Sequence, residues 1–334
     1  MKTGILICAE TADGKATATA RELFNAGRKL ADASGQSLAA LVVGRNLDDA
    51  AAEAITLGAD AAYTIDAPHY IESTPDLYIA LLIQACQEID PAIVIFGQTD
   101  LGREMAPLLA ARSGGVACMD CVNIAIDSDA KALRMTRPVY GGNAMAVWSS
   151  EEDALKVVAL RPRSYPASEP DGSRQGKIVA LEPAVPDGAV GMELLETKKE
   201  EIKGIKIEDA RIVVSGGGGI GGPEGFEMLE ELALVAGGSG GAVAATRVPC
   251  DEGWVSHAIE VGQTGTMITP DLYIAVGISG AVQHMVGCAD AKLIVAINRD
   301  PDAHIFQEAD FGIVGDYRQV VPALTGAIKG VKGM

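Results

Sequence analysis

Ile212-Val213-Val214-Ser215-Gly216-Gly217-Gly218-Gly219-Ile220-Gly221-Gly222-Pro223 sets a short apolar run against a chain of glycines and closes it with a proline. The apolar run is strand-sized, the glycines allow a tight turn, and Pro223 suits the first position of a helix. Strand, glycine loop and helix open a βα unit, in which backbone N–H groups at the turn can face a phosphate. The run lacks the Lys and Ser or Thr that would close a Walker pattern, and no acidic residue ends the next strand at the ribose position. A phosphate loop and a plain tight turn both remain open readings.

Working outward, a helix is expected over 223–235, strands over 241–245, 272–276, 293–298 and 311–314, and a last helix over 317–329. Upstream, strands are expected at 4–9, 37–43, 61–65 and 92–96, separated by helix-period segments at 16–33, 47–57 and 76–89, with another helix at 103–112. Shorter extended runs at 122–126, 132–137, 144–148 and 157–160 read as antiparallel additions at a sheet edge. Residues 163–205 are rich in Pro, Ser and charge and read as linker-like, with the alternative that part of the segment lies along the first domain. The fold class is therefore α/β, with two doubly wound parallel-sheet domains in tandem. The first is expected over 1–205, with its linker from about 163, and the second over 206–334.

The composition narrows the function. The chain has 334 residues, 48% of them apolar, which is enough for two cores. Its formal charge of −18 disfavours nucleic acid or an anionic membrane as the main partner. No apolar run reaches the length of a bilayer span, so no membrane insertion is expected. The scattered cysteines Cys8, Cys86, Cys118, Cys121, Cys250 and Cys288 do not make a disulfide scaffold, and a cytoplasmic, reducing compartment is expected.

Polar residues gather where the later strands end. Gln263-Thr264-Gly265 precedes the 272–276 strand, which itself opens into Gly277-Ile278-Ser279-Gly280-Ala281-Val282-Gln283-His284. The next strand delivers Asn298-Arg299-Asp300-Pro301, and the following one Gly315-Asp316. Ligands of open α/β sheets bind at the carboxyl ends of strands, so an elongated nucleotide site is expected here.

The stretch from Val261 to Pro322 resembles the FAD-binding signature of electron transfer flavoprotein alpha subunits. The resemblance is carried by Val261 to Gly265, Leu272 to His284, Ile294 to Asn298, Asp300-Pro301, Ile305-Phe306, Ala309-Asp310, Gly312 to Asp316 and Val320-Val321-Pro322. It extends to Phe96-Gly97-Gln98-Thr99 and Thr136 to Ala144, and so over nearly the whole chain. It implies that residues 206–334 form an FAD-binding domain and that 1–205 is similar to nucleotide-hydrolase folds. It places Thr246 and Arg247 beside the flavin, Gln263 and Thr264 near its N5 edge, and His284 at the pyrimidine carbonyl, with Gly265 also among the cofactor-binding residues. Ser279, Gly280 and Gln283 are placed at the diphosphate, and Asn298 and Asp316 at the adenosine half. A guanidinium against the ring and a histidine donor at the carbonyl both favour the negative charge gained on one-electron reduction. No catalytic residue of the chain's own and no metal are implied.

The resemblance further implies a heterodimer with a beta subunit. That complex is expected to be an electron carrier between acyl-CoA dehydrogenase-type flavoenzymes of fatty acid beta-oxidation and a quinone oxidoreductase. The spelling Thr136-Arg137-Pro138 with Gly141-Gly142-Asn143 is similar to the nitrogen-fixation-linked branch, whose electron-bifurcating members oxidise NADH and reduce ferredoxin or flavodoxin. Two other classes remain as alternatives, an NAD-dependent dehydrogenase suggested by the glycine run and a nucleotide-binding regulatory module. One position departs from the family pattern, because Gly218 stands where these proteins usually carry an arginine.

The remaining residues read as structural. His69, His257 and His304 lack metal-ligand company in the sequence. Cys118-Met119-Asp120-Cys121 has redox spacing but lies outside a strand-to-helix turn of thioredoxin type. Trp148 and Trp254 read as packing or interface residues, and the charged run 198–203 as solvated linker.

Overall fold

The computed structural model describes residues 4–66, 75–127, 132–142, 144–150, 154–184 and 205–333. The chain divides into two compact units, Met1–Thr197 and Lys198–Met334. The charged run 198–203, His69 and Asn143 lie outside the described residues.

The first unit begins with β1 (Ile5–Cys8), a small hairpin of β2 (Thr11–Ala12) and β3 (Lys15–Ala16), and helix α1 (Ala18–Ser34). The Thr17 hydroxyl accepts from the Ala20 N–H to start α1, and Gly35, at φ 66°, ends it. Then follow β4 (Leu38–Gly44), α2 (Asp48–Thr56), β5 (Ala61–Asp66), α3 (Pro75–Ile89), β6 (Ile93–Gly97), α4 (Asp100–Arg112) and β7 (Val116–Cys121). Strands β8 (Asn123–Ile126), β9 (Leu133–Val139) and β10 (Ala144–Ser149) form a separate antiparallel sheet. The chain returns through β11 (Lys156–Leu160) and β12 (Lys177–Ala180). The main sheet has the order β12-β5-β4-β1-β6-β11-β7, and every pairing in it is parallel.

Two expectations change here. The run 157–160 is not an antiparallel edge addition, because β11 lies between β6 and β7, parallel to both, with all five residues buried. A continuous apolar run without alternation is what a strand covered on both faces requires. The segment after 163 is not linker throughout, because β12 adds a parallel edge strand to β5. Its side chains are mostly exposed, so its sequence carries no burial signal.

The second unit alternates β13 (Ile212–Gly216), α5 (Glu224–Gly237), β14 (Gly241–Ala245), α6 (Arg247–Asp251), β15 (Leu272–Val276), α7 (Val282–Met285), β16 (Ile294–Asn298), α8 (Ile305–Glu308), β17 (Phe311–Val314) and α9 (Tyr317–Lys332). Its five strands are all parallel, in the order β14-β13-β15-β16-β17. Apolar layers lie on both faces. Val214, Phe226, Leu229, Ile274 and Val321 belong to one cluster, and Val213, Tyr273, Met285, Ala296 and Ile305 to the other. The alternation of inward direction along β13 and β15 produces this division. From β13 the chain moves outward to β14 and then crosses back to β15, so the strand order reverses beside β13, where a doubly wound sheet opens its ligand crevice.

The glycine run is explained at that reversal. Gly217 N–H donates to the Val276 carbonyl, and Gly219 N–H to the Gly277 carbonyl, both at 2.9 Å. A Cβ on Gly217 would stand 2.3 Å from the Gly277 oxygen, and Gly277 itself has φ +63°. The loops after β13 and β15 therefore touch through backbone alone. Among the described residues no helix is long and apolar enough to cross a membrane.

Candidate functional site

The parallel sheet of the second unit puts the carboxyl ends of its five strands on one edge, and nine of the eleven residues singled out from the sequence lie on loops of this unit or at element borders, while Gln283 and His284 lie within α7. Thr246 follows β14 and precedes α6, and its N–H donates to the Gly216 carbonyl at 3.0 Å. Ser279 and Gly280 follow β15, Asn298 ends β16, and Asp316 follows β17. Gly280 has φ +85°, and a Cβ there would lie 2.2 Å from the Ile305 N, so the chain passes α8 only as glycine.

Asn298, Arg299, Gly315, Asp316 and Arg318 line one cleft together with Gly219 and Gly277. Asn298 is held with its amide oriented: Nδ2 donates to the Ile278 carbonyl at 2.9 Å, and Oδ1 accepts from the Asp300 N–H at 3.0 Å. Asp316 caps α9 by accepting from the Arg318 N–H at 2.9 Å. The cleft thus pairs a fixed amide with an exposed carboxylate at a helix start.

His284 behaves differently from the expectation attached to it. It is buried, with Nδ1 2.9 Å from the Val261 carbonyl and Nε2 2.8 Å from the Tyr273 hydroxyl. A carbonyl can only accept, so Nδ1 carries the proton and Nε2 accepts from tyrosine. Both ring nitrogens are therefore engaged inside the unit, and neither donates to a ligand carbonyl in this arrangement. Burial pushes the His284 pKa down to about 4, against the raising influence of the Val261 carbonyl and the Glu260 carboxylate. The ring instead fixes the loop 261–266. The Gln263 N–H donates to the Gln283 carbonyl at 2.7 Å, a second tie between that loop and α7. Gln263, Thr264, Ser279 and Gln283 keep their side chains exposed at this seam, and Gly265 lies half-buried beside them.

Arg247 opens α6 and is exposed, with Nε donating to Asp251 Oδ2 at 3.0 Å. The Thr264 hydroxyl donates to Glu260 Oε1 at 2.5 Å, and Glu260 Oε2 lies 2.7 Å from His257 Nδ1. Glu260 is buried and His257 is exposed. Cys250, also buried, completes a group whose sulfur, nitrogen and carboxylate oxygen all lie within 4.8 Å of one another. Burial, with the charges of Glu260 and Asp251, pushes the Cys250 thiol up to about 12. The expectation that His257 lacks metal-ligand company is corrected by this convergence. The three residues are spaced Cys-x6-His-x2-Glu through a short helix and a turn, a spacing that has no regular period to reveal it.

In the first unit Cys118 and Cys121 are both buried on β7, and the Cys121 thiol donates to the Cys118 carbonyl at 3.4 Å. Trp148 is exposed on β10, whereas Trp254 packs against the cluster around Phe226.

Residues 5–186 match the electron transfer flavoprotein domain, and residues 206–289 match the electron transfer flavoprotein FAD-binding domain. The chain is 38% identical over 328 residues to the electron transfer flavoprotein subunit alpha of Thermoanaerobacterium thermosaccharolyticum, covering 98% of each chain. It is 38% identical over 325 residues to the electron transfer flavoprotein subunit alpha of Bacillus subtilis, covering 97% of each. It is also 36% identical over 326 residues to Protein FixB of Clostridium saccharobutylicum, covering 98% of this chain and 96% of that one.

Proposed function

Because the chain belongs to the electron transfer flavoprotein alpha-subunit family, a family of electron carriers, we propose that it is the FAD-holding subunit of a heterodimer completed by a beta subunit. The carrying observation is that Thr246, Arg247, Ser279, Gly280, Asn298 and Asp316 all lie where strands of one five-stranded parallel sheet end. The donor set fits FAD. Asn298 and Asp316 share a cleft suited to the polar adenosine half. The Gly277 and Gly280 turns bring backbone close where a diphosphate would lie. Arg247 supplies a guanidinium and Thr264 a hydroxyl at the other end of the edge.

When bound, FAD supplies the one-electron chemistry. The protein's own residues bind it, orient it and set its charge environment. His284 enters as the residue that holds the Val261 carbonyl and thereby the Gln263-Thr264-Gly265 loop. The dehydrogenase alternative loses its ground, because Gly217 and Gly219 serve contact with Gly277.

A partner subunit is supported by apolar side chains left exposed on the chain alone. Met145, Val147 and Trp148 stand out on β10, and Phe311, Ile313 and Val314 on the edge strand β17. The donor we propose is an acyl-CoA dehydrogenase-type flavoenzyme, and the acceptor a quinone oxidoreductase, in the cytoplasm. A second reading, electron bifurcation from NADH, draws on the Thr136-Arg137-Pro138 segment of β9 and on the relative named Protein FixB. Co-expression with a beta subunit of the same family decides between them. One FAD reduced by acyl-CoA plus its dehydrogenase supports the first reading. Two FAD with NADH oxidation supports the second, and a complex without flavin refutes both.

A further inference from the structure

We propose that Cys250, His257 and Glu260 form a binding site for a divalent cation of the zinc type, in the segment between β14 and β15. A thiolate sulfur, an imidazole nitrogen and a carboxylate oxygen are the donors such a cation takes, with a fourth position left to water. The three donor atoms already lie within 4.8 Å of one another. Zinc bonds of about 2.3 Å to sulfur and about 2.0–2.2 Å to nitrogen and oxygen place tetrahedral donors about 3.3–3.6 Å apart. His257 Nδ1 and Glu260 Oε2, now 2.7 Å apart, would part slightly, and Cys250 would close inward. Rotation of the His257 side chain, 62% exposed, accommodates the first change.

A second observation is independent of the three donors. Metal-bound histidines commonly turn their other ring nitrogen toward a carboxylate, and metal-bound carboxylates are themselves hydrogen-bonded. The hydrogen bond to the carboxylate is formed, and a carboxylate stands near the other ring nitrogen without yet bonding it. Asp251 Oδ1 lies 3.8 Å from His257 Nε2, and the Thr264 hydroxyl donates to Glu260 Oε1 at 2.5 Å.

Charge supports the same assignment. The Glu260 side chain is 5% exposed, and a buried carboxylate requires a compensating partner. The cation enters as the Cys250 thiol releases its proton to solvent. The sulfur–hydrogen bond is replaced by a sulfur–metal bond, and no electron is transferred. Two positive charges then meet two negative ligands, which leaves the site neutral in its buried setting. The bound cation would clamp α6, which begins with Arg247, to the segment that ends in Thr264. The assignment rests on the chain's own donors and stands independently of the flavin reading.

The test uses the purified complex with its partner subunit, stripped by a chelator and then titrated with zinc chloride against a chromophoric chelator, and separately with cobalt chloride. The expected result is one zinc per chain, about one proton released, and a thiolate-to-cobalt charge-transfer band. Cys250→Ser removes the band, His257→Ala removes stoichiometric zinc, and Asp251→Asn weakens zinc binding about 10- to 100-fold. The exposed His257→Ala variant is checked for folding by its thermal midpoint. Zinc uptake no greater in wild type than in a Cys250→Ser, His257→Ala double variant overturns the proposal. A cobalt band that survives Cys250→Ser does so as well.

Discussion

Lowering the pH from 7 to 4 should destabilise the second unit through His284, and the size of the effect follows from the ring's surroundings. The neutral imidazole is buried between the Val261 carbonyl and the Tyr273 hydroxyl. Its pKa of about 4 lies below the ordinary value of 6.5. The unfolded chain therefore takes up a proton first as the pH falls. Between about 6.5 and 4 the unfolded state binds more protons, so stability falls with pH and levels off below about 4. A displacement of about 2.5 pH units at about 1.4 kcal/mol per unit corresponds to about 3 kcal/mol. The group is nearly fully buried, so solvent screening removes little of this. His284→Gln gives the reference, since the amide can still donate to Val261 and accept from Tyr273 but cannot be protonated in this range. Denaturant unfolding, followed by Trp254 fluorescence in a Trp148→Phe background, should show wild type losing about 3 kcal/mol more than His284→Gln between pH 7 and 4. Ring nitrogen shifts should place the proton on Nδ1 at neutral pH. Parallel pH curves for the two proteins, or a His284 ring that titrates near 6.5, would refute the buried neutral tautomer.

Gly217→Ala should lower stability by about 1–3 kcal/mol and lose flavin, because its Cβ would meet the Gly277 backbone oxygen, which cannot move aside as a side chain can. Gly218→Ala should change neither thermal midpoint nor flavin content, since its nearest neighbour is the exposed Val248 side chain at 3.3 Å; equal effects at the two positions would show that the loops do not pack as described. Arg247→Ala should keep FAD and lower its first reduction potential by about 65–130 mV, the equivalent of one charge-assisted contact of about 1.5–3 kcal/mol, read by reductive titration against a reference dye. An unchanged potential would remove Arg247 from the ring.

Much of the fold was legible because parallel strands covered on both faces appear as short continuous apolar runs. Ile93 to Gly97 and Leu272 to Val276 are both of this kind, and both are buried central strands. The same property caused the misreading of 157–160. A short apolar run carries its burial but not its neighbours, and β11 finds its place between β6 and β7 only after a detour through the antiparallel sheet. β12 failed for the opposite reason. An edge strand with exposed side chains, set among prolines and charges, has no burial pattern to read. In the second unit the strand-end rule located the polar residues, because Asn298 and Asp316 follow directly from where β16 and β17 stop.

What the sequence could not supply were contacts made across irregular chain. Tyr273 and His284 are eleven residues apart and meet from a strand and a one-turn helix, so neither residue alone discloses that the imidazole is satisfied internally. Cys250, His257 and Glu260 converge for a similar reason. The absent arginine at Gly218 belongs to this same neighbourhood, since a Cβ at 218 would point toward Val248, the residue after Arg247. Without that cation, Arg247 is the basic residue that opens α6, and it is already paired with Asp251. Asp251 also approaches His257, which contacts the buried Glu260. The chain has thus placed two carboxylates and a thiol around one arginine and one histidine. A divalent cation bound by Cys250, His257 and Glu260 would replace the thiol proton and cancel the negative charge there, so the flavin potential should be more sensitive to metal in this chain than in one that carries arginine at position 218.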